Sequence, residues 1–219
     1  MTIEYTAAEE AVKLVKSGNR VFIHGGAATP LKVLSTLLKR AGEISGVELV
    51  AISTYGQIDW NHPEVQESFY LNSLFVSENV RGWVNSGSGG YIPVFLSEIP
   101  QLFERGYLPL DVAIVQVSPP DHHGYCTLGT SADIAVSAVK NAPIVIAQVN
   151  PRMPRVLGEG IIHFSRFSAM VWEESDLIEV DYAAKTDDIS KKIGEQVASL
   201  IDDGSTLQMG IGAIPDAVL

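Results

Sequence analysis

The chain has 219 residues, of which 46% are hydrophobic and 19% are charged, and its formal net charge is −11. This apolar content suffices for a large core and excludes an intrinsically disordered chain. Nucleic-acid binding and attraction to anionic membranes both need clustered Lys and Arg, so the acidic balance argues against both. An anionic ligand would have to be held by local geometry rather than by the overall charge.

The cysteine content and the N-terminal segment bear on the compartment. Cys126 is the single cysteine, which excludes an internal disulfide framework and fits a reducing compartment. The segment MTIEYTAAEEAVKLV lacks the charged and then apolar regions of a signal peptide. No apolar run approaches the length that crosses a bilayer. We therefore expect a cytoplasmic protein without a membrane partner.

Helices and strands alternate along the chain. Thr6 and Glu9 form a capping-box pattern at the start of the first helix, and Pro30 stands at the first turn of the second. The segment VAIVQV at 112–117 is continuously apolar, as is typical of a strand buried on both faces. The predicted helices are 7–17, 31–41, 91–106, 132–141 and 189–201, and the predicted strands are 21–23, 47–52, 112–117, 144–148, 177–180 and 206–209.

This alternation predicts the fold class. Strands separated by helices, with glycine-rich or polar loops at the strand ends, indicate an α/β protein with an open, mainly parallel sheet and flanking helices. In such sheets, ligands bind outside the carboxyl ends of the strands.

The end of the chain repeats the pattern of its beginning. Shifted by 186 residues, Gly18 falls on Gly204 and Gly26 on Gly212, and both segments run helix, strand, glycine turn and proline-started helix. The repeat predicts a first domain over 1–186 and the start of a second, truncated domain over 187–219. The alternative is a C-terminal appendage of one complete domain.

Four segments carry a resemblance to a known family. They are GSGGYIPVFLSEIPQLF (87–103), VAIVQVSPPDHHGYCTLGTSAD (112–133), VIAQVNPRMPRVLGEGIIH (145–163) and LQMGIGAIPDAVL (207–219). In this order they resemble the acetyl-CoA hydrolase/transferase family, which includes acetate, butyrate and 4-hydroxybutyrate CoA-transferases. The resemblance implies two similar open α/β domains, in agreement with the repeat.

The same resemblance implies a chemistry. A glutamate attacks an acyl-CoA, and a glutamyl-CoA thioester then carries CoA to a second carboxylic acid. That glutamate is expected beyond the glycine turn of the second domain, so no catalytic residue is assigned in this chain. The implied partners are an acyl-CoA, a short-chain carboxylate, the missing C-terminal half and further copies in a homo-oligomer. Coenzyme A is substrate and product, and no tightly bound cofactor or metal is expected.

The glycine turns are the first candidates for binding. Unpaired N–H groups before a helix favour an anion or a developing oxyanion, and glycine permits close approach of the backbone. By resemblance, the turn in the second domain contacts CoA, whereas Gly25 and Gly26 in the first domain form either a pocket or a plain turn. The CoA-binding candidates are Gly210, Ile211, Gly212, Ala213 and Ile214.

Further pocket candidates follow other strands. Asn150 ends the strand IVIAQVN, where its amide could reach a ligand or cap the neighbouring turn. The resemblance places Gly89 and Tyr91 near the acyl group or its carboxylate. The adjacent residues His122 and His123 have no spacing typical of a metal site, so their loop is expected to be structural. Cys126 is expected to be a small buried residue rather than a nucleophile.

The sequence is also compatible with other functions. A hydrolase of the same family would differ in whether water reaches the thioester intermediate. A module that binds CoA or assembles with a partner without catalysis is the alternative from another class. A sugar-phosphate isomerase would need an Asp/Lys constellation at strand ends, and the sequence shows none.

Overall fold

A computed structural model describes residues 3–60, 62–181 and 186–219. The chain divides into two compact units, Met1–Ile178 and Glu179–Leu219. The division falls eight residues before the predicted boundary at 186, and the assignment of 187–219 to a second domain stays a prediction.

The first unit is built on a parallel sheet. Its strands are β1 (Arg20–Ile23), β2 (Val47–Ala51), β3 (Phe69–Ser73), β4 (Gly89–Tyr91), β5 (Val112–Val117), β7 (Ile144–Val149) and β9 (Ala169–Trp172), and a separate antiparallel pair comprises β6 (Tyr125–Thr127) and β8 (Ile161–His163). Within the described residues the sheet has seven strands in the order β4-β3-β2-β1-β5-β7-β9, and every pairing in it is parallel. The predicted open parallel sheet is confirmed.

Helices cover both faces of this sheet. They are α1 (Ala8–Ala11), α2 (Leu31–Leu38), α3 (Pro63–Ser68), α4 (Glu78–Asn85), α5 (Ile99–Glu104) and α6 (Ala135–Asn141). Because successive side chains of a strand point to opposite faces, Val112 and Ile114 of β5 enter the core layer under α1 to α4. Ala113 and Val115 enter the other layer, under α5 and α6.

Several sequence predictions need correction. Residues 177–180 and 206–209 form no strand, since an apolar run becomes a strand only where a neighbouring strand takes up its backbone hydrogen bonds. The predicted helix 91–106 is shorter, because Tyr91 ends β4 and α5 starts at Ile99. Thr6 does not cap α1: Ala7 holds the N-cap position, and the Thr6 amide donates to the Met170 carbonyl of β9.

The second unit contains α7 (Asp188–Ala198) and α8 (Ala213–Val218). Asp187 caps α7, since its carboxylate accepts from the Ser190 amide at 2.7 Å. This hydrogen bond lowers the pKa of Asp187. Gly194 lets the helices approach closely, because a Cβ there would lie 2.7 Å from the Ala217 carbonyl carbon.

Two helical glycines should respond to alanine in opposite ways. Gly82 of α4 has no atom within 4 Å of an added Cβ, so Gly82→Ala should raise the free energy of unfolding by about 0.5–1 kcal/mol through helix propensity. Gly194→Ala should instead push α8 away from α7 and speed amide hydrogen exchange in α8. Slower exchange in Gly194→Ala would contradict the close packing.

Candidate functional site

The strand order reverses between β1 and β5, the two middle strands of the first unit. From β1 the chain proceeds through β2 to β4 on one side, and from β5 through β7 to β9 on the other. Such a reversal opens a crevice outside the carboxyl ends of the two strands, where open α/β sheets bind their ligands. The loops that follow β1, β2, β5 and β7 therefore define the candidate site.

The glycine turn after β1 is shaped by the segment that follows β2. A Cβ on Gly25 would lie 2.8 Å from the Ser53 carbonyl oxygen, and the Gly26 amide donates to that same oxygen at 2.7 Å. Gly26 has a φ of +59°, a conformation that glycine adopts without strain. The Thr29 hydroxyl closes the turn by donating to the Gly26 carbonyl at 2.8 Å. These contacts require both glycines, and the pocket role of the turn stays a prediction.

His24 stands between β1 and this turn and is fully buried. Its Nδ1 accepts from the Gln116 amide at 3.2 Å, so the ring proton lies on Nε2, which donates to the Ser131 carbonyl. Burial, which disfavours the imidazolium, lowers the pKa of His24, and the Ser131 carbonyl and Asp133 oppose this in part. His24 is therefore a neutral connector between β5 and the segment around Ser131, which follows β6.

A buried network of amide side chains crosses the same end of the sheet. The Gln116 Oε1 atom accepts from Gln148 Nε2 at 2.9 Å and from Asn150 Nδ2 at 3.2 Å. Gln148 Oε1 in turn accepts from the Val33 amide at 3.2 Å. Val33 lies in the first turn of α2, whose N-cap residue, Pro30, makes no side-chain cap. Gln148, on β7, thus caps the N-terminus of α2 and fixes this helix to the sheet.

The sequence pattern did not predict this network, because both strands look uniformly apolar. The signal was present as one glutamine near the end of VAIVQV and one near the end of IVIAQV. In the structure Gln116 and Gln148 are paired in register on β5 and β7. A buried glutamine in an apolar strand needs a partner, and the neighbouring strand provides it.

Asn150, predicted to line the pocket, belongs to this network. Its amide nitrogen also donates to the Ser175 carbonyl at 2.8 Å, and its oxygen accepts from the Arg152 amide at 3.0 Å. The side chain is fully buried. These contacts give Asn150 a structural task at the end of β7, and its contact with a ligand stays a prediction.

Gly89 and Tyr91 lie on β4, at the edge of the sheet. The β4 backbone is three strand spacings from β1, about 14 Å, so the structure does not bring these residues next to Gly25 and Gly26. A Cβ on Gly89 would lie 2.9 Å from the Leu71 carbonyl oxygen, which explains the glycine by packing. Tyr91 is 52% exposed at the carboxyl end of its strand.

The predicted CoA-binding turn, Gly210–Ile214, belongs to the second unit. Gly212 has a φ of +121° and precedes the first residue of α8. Ile211 is 83% exposed. The glycine is thus required by the turn before the helix, and CoA binding by these residues stays a prediction.

The loop after β5 is held by Asp121. Its Oδ1 accepts from the amides of Tyr125 and His123 at 2.8 and 2.9 Å, and its Oδ2 pairs with Arg155 at 2.6 Å. The two amides, together with Arg155, lower the pKa of Asp121. These contacts support the prediction of a structural loop around His122.

The surroundings of Cys126 and of Arg152 are structural as well. Cys126 is fully buried, and burial raises the pKa of its thiol to about 12, which confirms a small buried residue. Arg152 pairs with Glu174 and Asp176.

In the part of the chain that the structure describes, no three His, Cys, Asp or Glu side chains are grouped to hold a metal ion. Nor does any described helix combine the length and hydropathy that a bilayer crossing requires.

Comparison with known proteins decides the family. Residues 3–203 match the acetyl-CoA hydrolase/transferase N-terminal domain. The chain belongs to this family. It is 42% identical to the 4-hydroxybutyrate coenzyme A transferase of Clostridium kluyveri, over 97% of this chain and 49% of that protein. The chain spans about half the length of the curated relatives it matches.

Two solved structures agree with the fold. RipA from Yersinia pestis superposes with a TM-score of 0.86 at 30% identity, over 98% of this chain and 52% of RipA. The 4-hydroxybutyrate CoA-transferase of Porphyromonas gingivalis superposes with a TM-score of 0.79 at 32% identity, over 98% of this chain and 50% of that one. The first unit and its sheet are therefore those of an acetyl-CoA hydrolase/transferase N-terminal domain.

Removing one amide of the buried network should destabilise the fold. Gln148→Leu keeps the approximate volume but deprives the Val33 amide of its acceptor and Gln116 of a donor. We expect a loss of about 1–3 kcal/mol in the free energy of unfolding, as for a buried polar group without a partner. Urea denaturation measures it, with Gln101→Leu on the exposed face of α5 as the matched control. Equal midpoints for the two variants would refute a stabilising role of the network.

Stability should fall in acid because of His24. The unfolded chain binds a proton near the ordinary pKa of 6.5, whereas the folded chain does so only at lower pH. The unfolded state therefore binds more protons below this value, and the free energy of unfolding decreases as the pH falls through it. The free energy of unfolding is measured by urea titration at several pH values between about 7.5 and 5.5. It should depend less on pH in His24→Gln than in the natural chain. Parallel curves for the two proteins would exclude His24 as the source.

Proposed function

We propose that the chain is the N-terminal half of a CoA-transferase that moves CoA between an acyl-CoA and a short-chain carboxylate. One observation carries the proposal: three relatives that match nearly all of this chain, with about half of their own length, are named as CoA-transferases. Their names give 4-hydroxybutyrate, succinate with acetate or propanoate, and butyryl-CoA with acetate as substrates. The acceptor would be acetate, butyrate or 4-hydroxybutyrate. Coenzyme A is then substrate and product rather than a resident cofactor.

The reaction proposed for the whole protein uses a glutamate of the second half. Its carboxylate attacks the thioester carbonyl, which gives an acyl-glutamyl anhydride and releases the CoA thiolate. The thiolate attacks the glutamyl carbonyl, so that a glutamyl-CoA thioester forms and the first carboxylic acid leaves. The second acid reverses these steps and departs as its CoA thioester. Such a carboxylate needs positioning and N–H donors for the developing oxyanion.

The second unit supports the idea of a repeated half. The paired glycines of the repeat both have positive φ, +78° and +81° at Gly18 and Gly204, and +59° and +121° at Gly26 and Gly212. This agreement of backbone conformation favours Gly210–Ile214 as the counterpart of the turn after β1. We propose that this turn approaches CoA. Within the first domain, the proposed pocket residues are Gly25, Gly26, Gly89, Tyr91 and Asn150.

An apolar face of α7 also supports a further domain. Three side chains of α7 and that of Leu200, two residues past the helix end, form one apolar stripe, and their exposed fractions reach 85% at Leu200. Such a stripe on a helix normally packs against a core. We propose that the C-terminal half of the protein covers it. The residues concerned are Ile189, Ile193, Val197 and Leu200.

We further propose that the protein acts in the cytoplasm as a homo-oligomer. The single cysteine is buried and without a disulfide partner, which fits a reducing compartment. Size-exclusion chromatography with light scattering on the complete protein measures the number of copies.

The decisive test is CoA transfer from acetyl-CoA to butyrate. The purified 219-residue chain should show none, because the proposed glutamate is not in it. Joined to the C-terminal segment of the Clostridium kluyveri relative, it should form butyryl-CoA, and intact mass should reveal a CoA adduct on that segment. The segment alone is the control.

Two results would change the proposal. Turnover by the 219-residue chain alone at an ordinary enzymatic rate would overturn it. Free CoA without butyryl-CoA from the joined protein would indicate a hydrolase, the second activity in the name of the matched family.

A further inference from the structure

His24 connects β1 to a loop that is distant in sequence. The loop 129–133 follows β6 and returns to the carboxyl end of β1, where the Ser131 carbonyl accepts from His24 Nε2. The other ring nitrogen accepts from the Gln116 amide of β5. The buried ring thus uses one hydrogen bond to fix itself to the sheet and the other to hold the loop.

The held loop lies directly against the glycine turn. A Cβ on Gly26 would be 3.8 Å from the Ser131 hydroxyl oxygen. That hydroxyl donates to Asp133 at 2.7 Å, and the other Asp133 oxygen accepts from the Ala135 amide at 3.2 Å, at the start of α6. Asp133 therefore orders the end of loop 129–133 that leads into α6. His24 holds the middle of the loop, at Ser131, beside the end of β1.

We propose that His24 is a positioning residue, which holds loop 129–133 against Gly26 and so shapes one wall of the crevice in which the acyl-CoA reacts. The proposal rests on the proposed function for the identity of the ligand. The ordering of the loop depends only on hydrogen bonds within this chain, whatever the ligand is. Release of the Ser131 carbonyl would free the loop without removing any group that touches the substrate.

Substitution of His24 by glutamine or by asparagine tests the two hydrogen bonds of the ring separately. In His24→Gln the amide nitrogen replaces Nε2 and still reaches the Ser131 carbonyl, while the Gln116 amide loses its acceptor. In His24→Asn the amide oxygen replaces Nδ1 and keeps the bond to Gln116, while the bond to Ser131 is lost. Each variant loses one buried hydrogen bond, so a purely structural role predicts similar losses of stability and function.

The first measurement is made on the 219-residue chain. Backbone ¹⁵N order parameters of residues 130–133 should remain near 0.85 in the natural protein and in His24→Gln, and fall below about 0.6 in His24→Asn. The matched control is the same pair of substitutions at His122, an exposed histidine of another loop. Equal order parameters in the two His24 variants would overturn the positioning of the loop.

The second measurement uses the joined protein of the transfer assay. We expect kcat/KM for acetyl-CoA to fall about tenfold in His24→Asn and to stay within about twofold in His24→Gln, as for loss of one hydrogen bond that orders a site. Equal losses in both would overturn the functional part of the proposal. If the joined natural protein transfers no CoA, the proposed function fails, whereas the order parameters still decide whether His24 holds the loop.

Discussion

The hydrogen bonds of the buried glutamines hold together the end of the sheet on which the candidate site lies. Gln116 and Gln148 stand opposite each other on β5 and β7, and both side chains are buried. At that depth an amide without a partner costs more than most single apolar contacts contribute. The pair is therefore satisfied only in one register of the strands, with the first turn of α2 in one place.

This constraint extends to the loops of the crevice. His24 accepts a hydrogen bond from the Gln116 amide and donates its own ring proton to loop 129–133. The glycine turn after β1 is fixed from the other side by the Ser53 carbonyl. The loops at this end of the sheet are thus formed by backbone whose conformation the core already determines.

The second unit shows how a pattern can be right about backbone conformation and wrong about an element. The repeat identified Gly204 and Gly212 as glycines that share the positive φ of Gly18 and Gly26. It also predicted a strand at 206–209, which the structure does not form. A positive φ is a local preference of glycine, whereas a strand needs hydrogen-bonding partners supplied by other segments.

The parallel α/β class, the buried strands β5 and β7 and the family could all be predicted from the sequence, because apolar runs, glycine turns and ordered motifs are properties of neighbouring residues. Three features became visible only in the folded chain: the network of Gln116, Gln148 and Asn150, the hydrogen bond from His24 to Ser131, and the distance of three strands between Tyr91 and the glycine turn. These facts depend on the order and register of strands. Pairing between strands far apart in the chain is fixed by packing and hydrogen-bond satisfaction over the whole core, and no local pattern records it.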